Sequence, residues 1–139
     1  MILLISDFHK HKKNVLALIK KYQPTFTICC GDGEVNEDFY FENNIISVLG
    51  NCDNNDFPLA KIIEIYGKKA IITHGHLFNV CFDLERLYLM AKENDCEYVF
   101  YGHTHVQSIV SHDNITFVNP GSMIDNKYAI ILEDEIILK

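Results

Sequence analysis

Five short polar clusters each follow an apolar, strand-like segment of this chain, and this arrangement constrains the fold more than any other feature. Apolar runs such as Ile2-Leu3-Leu4-Ile5 and Tyr98-Val99-Phe100-Tyr101 have the composition of buried strands. Strands that end side by side would bring the residues after them to one edge of a sheet, where they can form a two-metal centre. The clusters are Asp7-Phe8-His9, Gly31-Asp32-Gly33, Gly50-Asn51-Cys52-Asp53, His74-Gly75-His76 and Gly102-His103-Thr104-His105.

The clusters contain the donor types that divalent transition metals prefer. In an extended Asp-x-His segment, Asp7 and His9 point to the same side and can clasp one cation. Asp32 lies between two glycines, and its two carboxylate oxygens are sufficient to bridge two cations. Mixed carboxylate, amide and imidazole donors suit Mn²⁺, Fe²⁺, Zn²⁺ or Co²⁺ better than Ca²⁺. The other donors are the amide oxygen of Asn51 and the imidazoles of His74, His103 and His105.

The distribution of histidine supports a metal centre independently. The chain has seven histidines, and five of them lie in the clusters. Only His11 and His112 lie outside, where we expect solvated surface residues. A single histidine is usually structural or merely exposed, but five in order, each after a strand, favour metal binding.

The order of the predicted elements favours a mixed α/β sandwich, built as one domain over residues 1–139. Residues 15–22 have the apolar spacing of a helix that ends at Pro24. A second helix is predicted at 82–94 and a short one within 34–43. Strands are predicted at 1–6, 25–30, 45–49, 61–66, 69–73, 98–101, 106–111, 115–118, 128–132 and 135–138, with a turn at Gly67-Lys68 between the fourth and the fifth.

Charge and composition restrict the partners. The formal net charge of −7 disfavours duplex nucleic acid and anionic membranes. Arg86 is the only arginine, so a bound phosphate would depend on metal ions rather than on an arginine clamp. Residues 1–6 are too short for a signal peptide, and no later stretch has about 18 apolar residues without charge. Five cysteines without Cys-x-x-Cys spacing indicate reduced thiols, and we expect a cytoplasmic protein.

Taken in order, the clusters resemble the motifs of the calcineurin-like metallophosphoesterases. The Gly-Asn-Cys-Asp form of the third motif, the later Asn119-Pro120-Gly121-Ser122 and the small size resemble the compact phosphodiesterases of the YfcE type. The resemblance covers residues 1 to about 122. It implies a four-layer α-β-β-α sandwich with a dinuclear site at the carboxyl ends of the strands, where Asn119-Pro120-Gly121-Ser122 supports the histidine loop.

Carried over to this sequence, the resemblance implies seven ligands for two divalent cations. Mn²⁺ is the expected metal, and Zn²⁺, Fe²⁺, Co²⁺ and Ni²⁺ are alternatives. Asp7, His9 and His105 would bind one ion, Asn51, His74 and His103 would bind the other, and Asp32 would bridge the two.

Three further residues are candidate catalytic groups. Many relatives carry a histidine after the motif asparagine, where it is thought to protonate the leaving group, but this chain has Cys52 there. A thiol with an unperturbed pKa near ~8.5 is a poor acid for that step. His76, which the resemblance places beside the metals, can take the role instead. Asp53 either orients a metal ligand or caps the next turn.

The resemblance therefore implies an enzyme that hydrolyses a small phosphodiester, in which a hydroxide held between two cations attacks phosphorus. An alternative of a different class is a non-catalytic scaffold subunit, since the retromer complex contains a protein of this fold that works through its surfaces. A nuclease acting on long nucleic acid is disfavoured by the acidic charge. Relatives often dimerise, which leaves a homodimer open.

Overall fold

Each polar cluster begins where a strand ends in the computed structural model, which describes residues 1–139. The helices are α1 Lys12–Tyr22, α2 Glu37–Glu42 and α3 Glu85–Glu93, and a short 3-10 helix spans Met123–Asp125. The strands are β1 Ile2–Ile5, β2 Thr27–Cys29, β3 Ile45–Ser47, β4 Ala60–Ile65, β5 Lys68–Thr73, β6 Tyr98–Phe100, β7 Ser108–His112, β8 Ile115–Asn119, β9 Ala129–Ile131 and β10 Ile136–Leu138.

The strands form two five-stranded sheets. The first has the order β10-β9-β1-β2-β3, and β1, β2 and β3 are parallel to one another. The second has the order β4-β5-β6-β8-β7, with β5, β6 and β8 parallel and antiparallel strands at both edges. Each sheet therefore has three adjacent parallel strands whose carboxyl ends lie at one edge, which is where ligand sites form in such sheets.

The layers stack in the order α-β-β-α, which confirms the predicted four-layer sandwich. In β1, Ile2 and Leu4 belong to the core between the two sheets, whereas Leu3 and Ile5 pack with Val15 of α1 on the other face. This alternation follows from the two-residue period of a strand, and it explains why a strand buried on both faces is apolar throughout. The core between α3 and the second sheet contains Ile71, Leu87, Ala91, Val99 and Phe117.

The predicted turn at Gly67-Lys68 lies one residue earlier in the structure. Tyr66 and Gly67 form the turn between β4 and β5, with φ angles of 46° and 76°, and Lys68 already belongs to β5. Two-residue hairpin turns of this kind need a positive φ at both central residues, and the right-handed twist of the flanking strands selects them. Residue spacing alone does not indicate that a tyrosine would occupy the first position.

Two differences from the prediction concern the helices. The helix predicted at 82–94 is α3, which begins at Glu85 instead of residue 82. The backbone N–H groups of Phe82 and Asp83 bond to the Asn79 carbonyl in a turn that precedes it. The short 3-10 helix after β8 was not predicted, since three residues leave no periodic pattern. None of the helices has the length and apolar character that crossing a membrane requires.

Candidate metal centre

The five clusters meet at the carboxyl ends of the parallel strands of both sheets. Asp7, Asp32 and Asn51 lie just after β1, β2 and β3 of the first sheet. His74 and His103 follow β5 and β6 of the second. The two sheets face each other at this edge, so that the Asp7 Oδ1 atom lies 3.8 Å from the His74 Nε2 atom. Residues 67 positions apart in sequence thus share one site.

Asp7 lies at the centre of the first donor group. Its Oδ1 atom is 3.2 Å from His105 Nε2 and 3.8 Å from His9 Nε2. Its Oδ2 atom accepts hydrogen bonds from the Ser6 hydroxyl and from the backbone N–H of His103, at 2.5 and 3.2 Å. The donor atoms of Asp7, His9 and His105 all lie within 4.8 Å of one another, which is close enough to hold one ion.

Asp32 belongs to two further donor groups. With Asp7 and His74 it forms a fully buried group, and with His9 and Cys52 it forms a second group that reaches the surface. Its Oδ2 atom is 3.2 Å from His74 Nε2, and its Oδ1 atom accepts a hydrogen bond of 2.8 Å from the Cys52 backbone N–H. One carboxylate therefore faces donors on two sides.

Asn51 and His103 form the solvent-facing side of the centre. The Asn51 Oδ1 and His103 Nδ1 atoms are 3.1 Å apart, and the His103 ring centroid is 5.1 Å from that of His74. The structure thus brings all seven ligand candidates to one place. Because the amide oxygen and an imidazole nitrogen point at the same space, this pair can hold a cation at the entrance.

Two buried polar atoms have no hydrogen-bond partner and test whether a cation fits. Asp7 Oδ1 and His74 Nε2 are both buried and unpaired, because His105 Nε2 at 3.2 Å from the former and Asp32 Oδ2 at 3.2 Å from the latter lack hydrogen-bond alignment. An unpaired buried polar group costs about 1–3 kcal/mol. The Nδ1 atom of His74 bonds to the Cys30 carbonyl oxygen at 2.7 Å, which leaves the Nε2 lone pair facing the site. The donors therefore fit a divalent cation.

We expect Mn²⁺ to raise the melting temperature of metal-free protein. An ion present at 100 times its Kd adds about 2.7 kcal/mol to the stability. At about 3 °C per kcal/mol for a chain of this length, the shift is about 8 °C, measured by calorimetry. Ca²⁺ serves as the control, because imidazole donors suit it poorly. An unchanged melting temperature at millimolar Mn²⁺ would show that these residues hold no ion.

Asp32 and His74 each favour the charged form of the other when no metal is bound. Burial raises the pKa of Asp32, but contact with His74 and the positive charge of that ring outweigh burial and lower the pKa to about 2. Burial lowers the pKa of His74, whereas contact with Asp32 and the charge of Asp7 overcome it, so that this pKa is raised. A cation and a proton compete for the same His74 nitrogen, which links metal binding to proton release.

His76 and Cys52 lie beside the donors without belonging to their buried part. Burial and then the neighbouring charges of His74 and His103 lower the pKa of His76, and its Nδ1 atom is buried without a partner. Cys52 is an exposed residue. Partial desolvation of its sulfur atom, and then the charge of the nearby Asp32 carboxylate, raise the pKa of the thiol. Its thiol therefore remains protonated at neutral pH.

The Asp53 carboxylate accepts hydrogen bonds from the backbone and belongs to none of the donor groups. Its Oδ2 atom accepts hydrogen bonds from the N–H groups of Asp32 and Gly50, and its Oδ1 atom accepts one from Glu34, each 2.8 Å long. None of these amides belongs to the turn after Asp53, so the contacts fit the first of the two roles considered from sequence, the orientation of a metal ligand. Because one of these amides is that of Asp32, Asp53 fixes where the Asp32 carboxylate lies.

Most of the ligand candidates have strained backbone. The φ angles are 53° at Asp7, 38° at His9, 56° at Asp32, 70° at His103 and 60° at His105. Residues with a Cβ atom seldom adopt this left-handed region, which costs about 1 kcal/mol or more per residue. Such strain clusters at functional sites, since it directs side chains where a regular strand would not.

Gly102 allows the histidine loop to approach β1 closely. A Cβ atom at this position would overlap the Ser6 hydroxyl and lie 2.8 Å from Asp7 Oδ2. Any side chain there would push away the carboxylate around which the first donor group is built. The glycine is required for this close approach rather than for its φ angle.

The predicted support for the histidine loop by Asn119-Pro120-Gly121-Ser122 is present. The Asn119 amide donates to the Gly102 carbonyl and the Thr104 hydroxyl at 3.0 and 2.9 Å, and Ser122 donates to the Asp7 carbonyl at 2.9 Å.

Sequence reasoning did not identify Ser6 or Glu34, which contact Asp7 and His9. The one available signal was their position next to a motif residue.

The comparisons with known proteins agree with this geometry. The chain matches the family model of the calcineurin-like phosphoesterase superfamily domain over residues 1–131. A protein of Mycoplasma pneumoniae named a probable metallophosphoesterase is 30% identical over 126 residues, which cover 88% of this chain and 78% of that protein. The solved structure of a predicted phosphoesterase from Streptococcus pneumoniae has a TM-score of 0.83 at 31% identity and covers 92% of this chain and 79% of that one.

Two solved structures of lower identity share the fold alone. A novel archaeal phosphodiesterase has a TM-score of 0.79 at 24% identity, covering 99% of this chain and 98% of that one. The vacuolar protein sorting 29 protein of Cryptosporidium parvum has a TM-score of 0.75 at 18% identity, covering 99% and 94%. With a family match over nearly its whole length, this chain belongs to the calcineurin-like phosphoesterase superfamily.

Proposed function

We propose that this protein is a phosphodiesterase that hydrolyses a small phosphodiester with two divalent cations, preferably Mn²⁺. The observation that carries the proposal is the meeting of two buried carboxylates, Asp7 and Asp32, with imidazoles from the opposite sheet, where two donor atoms have no partner. The archaeal neighbour named a phosphodiesterase supports a diester as substrate. Zn²⁺, Fe²⁺, Co²⁺ and Ni²⁺ fit the same donor set.

In this proposal the seven donors divide between two ions. The double membership of Asp32 in two donor groups supports a bridging position for its carboxylate. His74 is buried and Asn51 is exposed, which supports a second ion that lies between the interior and the entrance. Asp7, His9 and His105 would hold one ion, and Asn51, His74 and His103 would hold the other.

When bound, the cations supply positive charge to the phosphate and acidify water at neutral pH. The chain itself provides the binding geometry: Asn51 and His103 leave the entrance open to solvent, and Asp53 keeps Asp32 in place. His76 lies next to this entrance, with its ring centroid 6.2 Å from that of His103, and is the candidate to pass a proton to the leaving oxygen. Cys52 is the alternative donor, and its raised pKa makes it a weaker acid than an ordinary thiol.

The remaining expectations are part of the same proposal. A single domain of residues 1–139 acts on a small phosphoester in the cytoplasm. Its net charge of −7 disfavours duplex nucleic acid and membrane surfaces, and a homodimer stays open.

An assay of metals against substrates tests the proposal. Metal-stripped protein receives Mn²⁺, Zn²⁺, Fe²⁺, Co²⁺, Ni²⁺ or Mg²⁺ together with bis-p-nitrophenyl phosphate or p-nitrophenyl phosphate. We expect turnover that requires metal, is highest with Mn²⁺ and favours the diester. His103→Ala should abolish it, because this substitution removes a donor at the entrance, whereas His112→Ala on the distant β7 should not.

The absence of turnover with every metal would overturn the proposal. If two ions were nevertheless bound per chain, the scaffold alternative would be favoured, as the likeness to vacuolar protein sorting 29 allows. A monoester preference would retain the enzyme but reject the substrate class.

A further inference from the structure

The two ring nitrogens of His9 face different carboxylates. Its Nδ1 atom is 2.7 Å from Glu34 Oε2, and its Nε2 atom faces Asp7 Oδ1 at 3.8 Å. A carboxylate acceptor at Nδ1 requires that this nitrogen carries the proton. The Nε2 lone pair is then free to face the site.

The backbone carries Glu34 to this position in steps. The segments that follow β1 and β2 remain hydrogen-bonded to each other. The N–H groups of Asp7, His9 and Lys10 donate to the carbonyls of residues 31, 32 and 33 at 3.0, 3.0 and 2.7 Å. Glu34 comes next, with a left-handed φ of 55° and its own N–H bound to Asp53. Strained backbone of this kind persists only where the surrounding structure fixes it, so the contact between Glu34 and His9 differs from a chance pairing of surface side chains.

We propose that Glu34 is a positioning residue for metal binding: it accepts the His9 Nδ1 proton, fixes the ring tautomer and orientation, and leaves Nε2 for the cation. The inference rests on the proposed function, in which His9 is a ligand. His74 shows the same design, because its Nδ1 atom bonds to the Cys30 carbonyl and its Nε2 atom faces the site. A carboxylate in this role also makes the imidazole a stronger ligand.

The alternative is an ordinary surface ion pair. The side chains of His9 and Glu34 are 20% and 27% exposed, and a pair of this kind contributes at most about 1 kcal/mol to stability. That reading predicts a small change in melting temperature and no change in metal affinity. The positioning role predicts the opposite, since removing such a partner typically weakens metal binding about 10–100-fold.

Titration calorimetry with Mn²⁺ on metal-free protein separates the two. We expect Glu34→Ala to weaken one of two bound ions by about 10–100-fold and to leave the other nearly unchanged. Glu34→Gln should fall between wild type and Glu34→Ala, because an amide oxygen still accepts the Nδ1 proton. The matched control is Glu42→Gln, which removes one negative charge from the exposed end of α2.

Unchanged Mn²⁺ affinity in Glu34→Ala, or an equal loss in Glu42→Gln, would overturn the inference. Nitrogen NMR of the histidines in metal-free protein is the second readout: His9 should carry its proton on Nδ1 in wild type and lose this preference in Glu34→Ala. Neither measurement depends on turnover. A protein that binds Mn²⁺ as expected but hydrolyses nothing would contradict the proposed function and not the role of Glu34.

Discussion

Asp32→Asn is expected to lower kcat/KM with Mn²⁺ and a phosphodiester by about 1,000-fold, since charge stabilisation by metals contributes several kcal/mol and each 1.36 kcal/mol is tenfold. Asp32 shares one donor group with His9 and another with Asp7 and His74, and its contact with His74 lowers its pKa to about 2, so the native group is fully charged at neutral pH. An amide has the same shape but neither the charge nor a second anionic oxygen. Steady-state kinetics and metal analysis of the same sample measure the effect.

Asp38→Asn is the matched control for this substitution. Asp38 is exposed on α2, near Asp32 in sequence but outside every donor group, so that the loss of one charge should leave turnover within about twofold. Turnover in Asp32→Asn equal to wild type would remove Asp32 from the proposed mechanism. Loss of turnover in both variants would attribute the effect to net charge.

Asp53→Ala is expected to lower the free energy of unfolding by about 3–4.5 kcal/mol, because three hydrogen bonds are lost and each contributes about 1–1.5 kcal/mol. The backbone N–H groups of Asp32, Glu34 and Gly50 would lose their acceptor together. Since one of these amides places Asp32, Mn²⁺ binding should weaken along with stability. Urea unfolding of metal-free protein gives the stability change without any contribution from bound metal.

The control for Asp53→Ala is Asp56→Ala in the same loop. The Asp56 side chain is exposed and makes no hydrogen bond, so its removal should change stability by less than about 0.5 kcal/mol. If Asp53→Ala were equally harmless, the three amides would have other acceptors, and the positioning role of Asp53 would be wrong. A loss of metal binding without a loss of stability would instead make Asp53 part of the donor set.

The fold was predictable because its central strands are buried on both faces. Such strands are apolar runs, and ligand-type residues follow β1, β2, β3, β5 and β6, so that both the sheet edge and the candidate ligands could be read in order. The family match over residues 1–131 confirms the predicted family and fold. Even the edge strand β7 was predicted within two residues of its start.

What sequence could not indicate depends on contacts across the chain. The 2.7 Å contact between His9 and Glu34 needs the pairing of two loops beyond the ends of β1 and β2, and it leaves no periodic trace. The role of Asp53 was ambiguous for the same reason, since its three amides come from different turns. Left-handed φ angles at residues such as Asp7 and His103 are set by tertiary contacts, because local preference opposes them.

Anomalous diffraction from crystals soaked in Mn²⁺ tests most directly that these residues form a centre for two metals. The account predicts two Mn²⁺ peaks per chain, one beside His9 and His105 and the other beside Asn51 and His103, with the Asp32 carboxylate between them. A single peak would reject the dinuclear proposal. No peak at this edge of the sheets would contradict the metal centre itself.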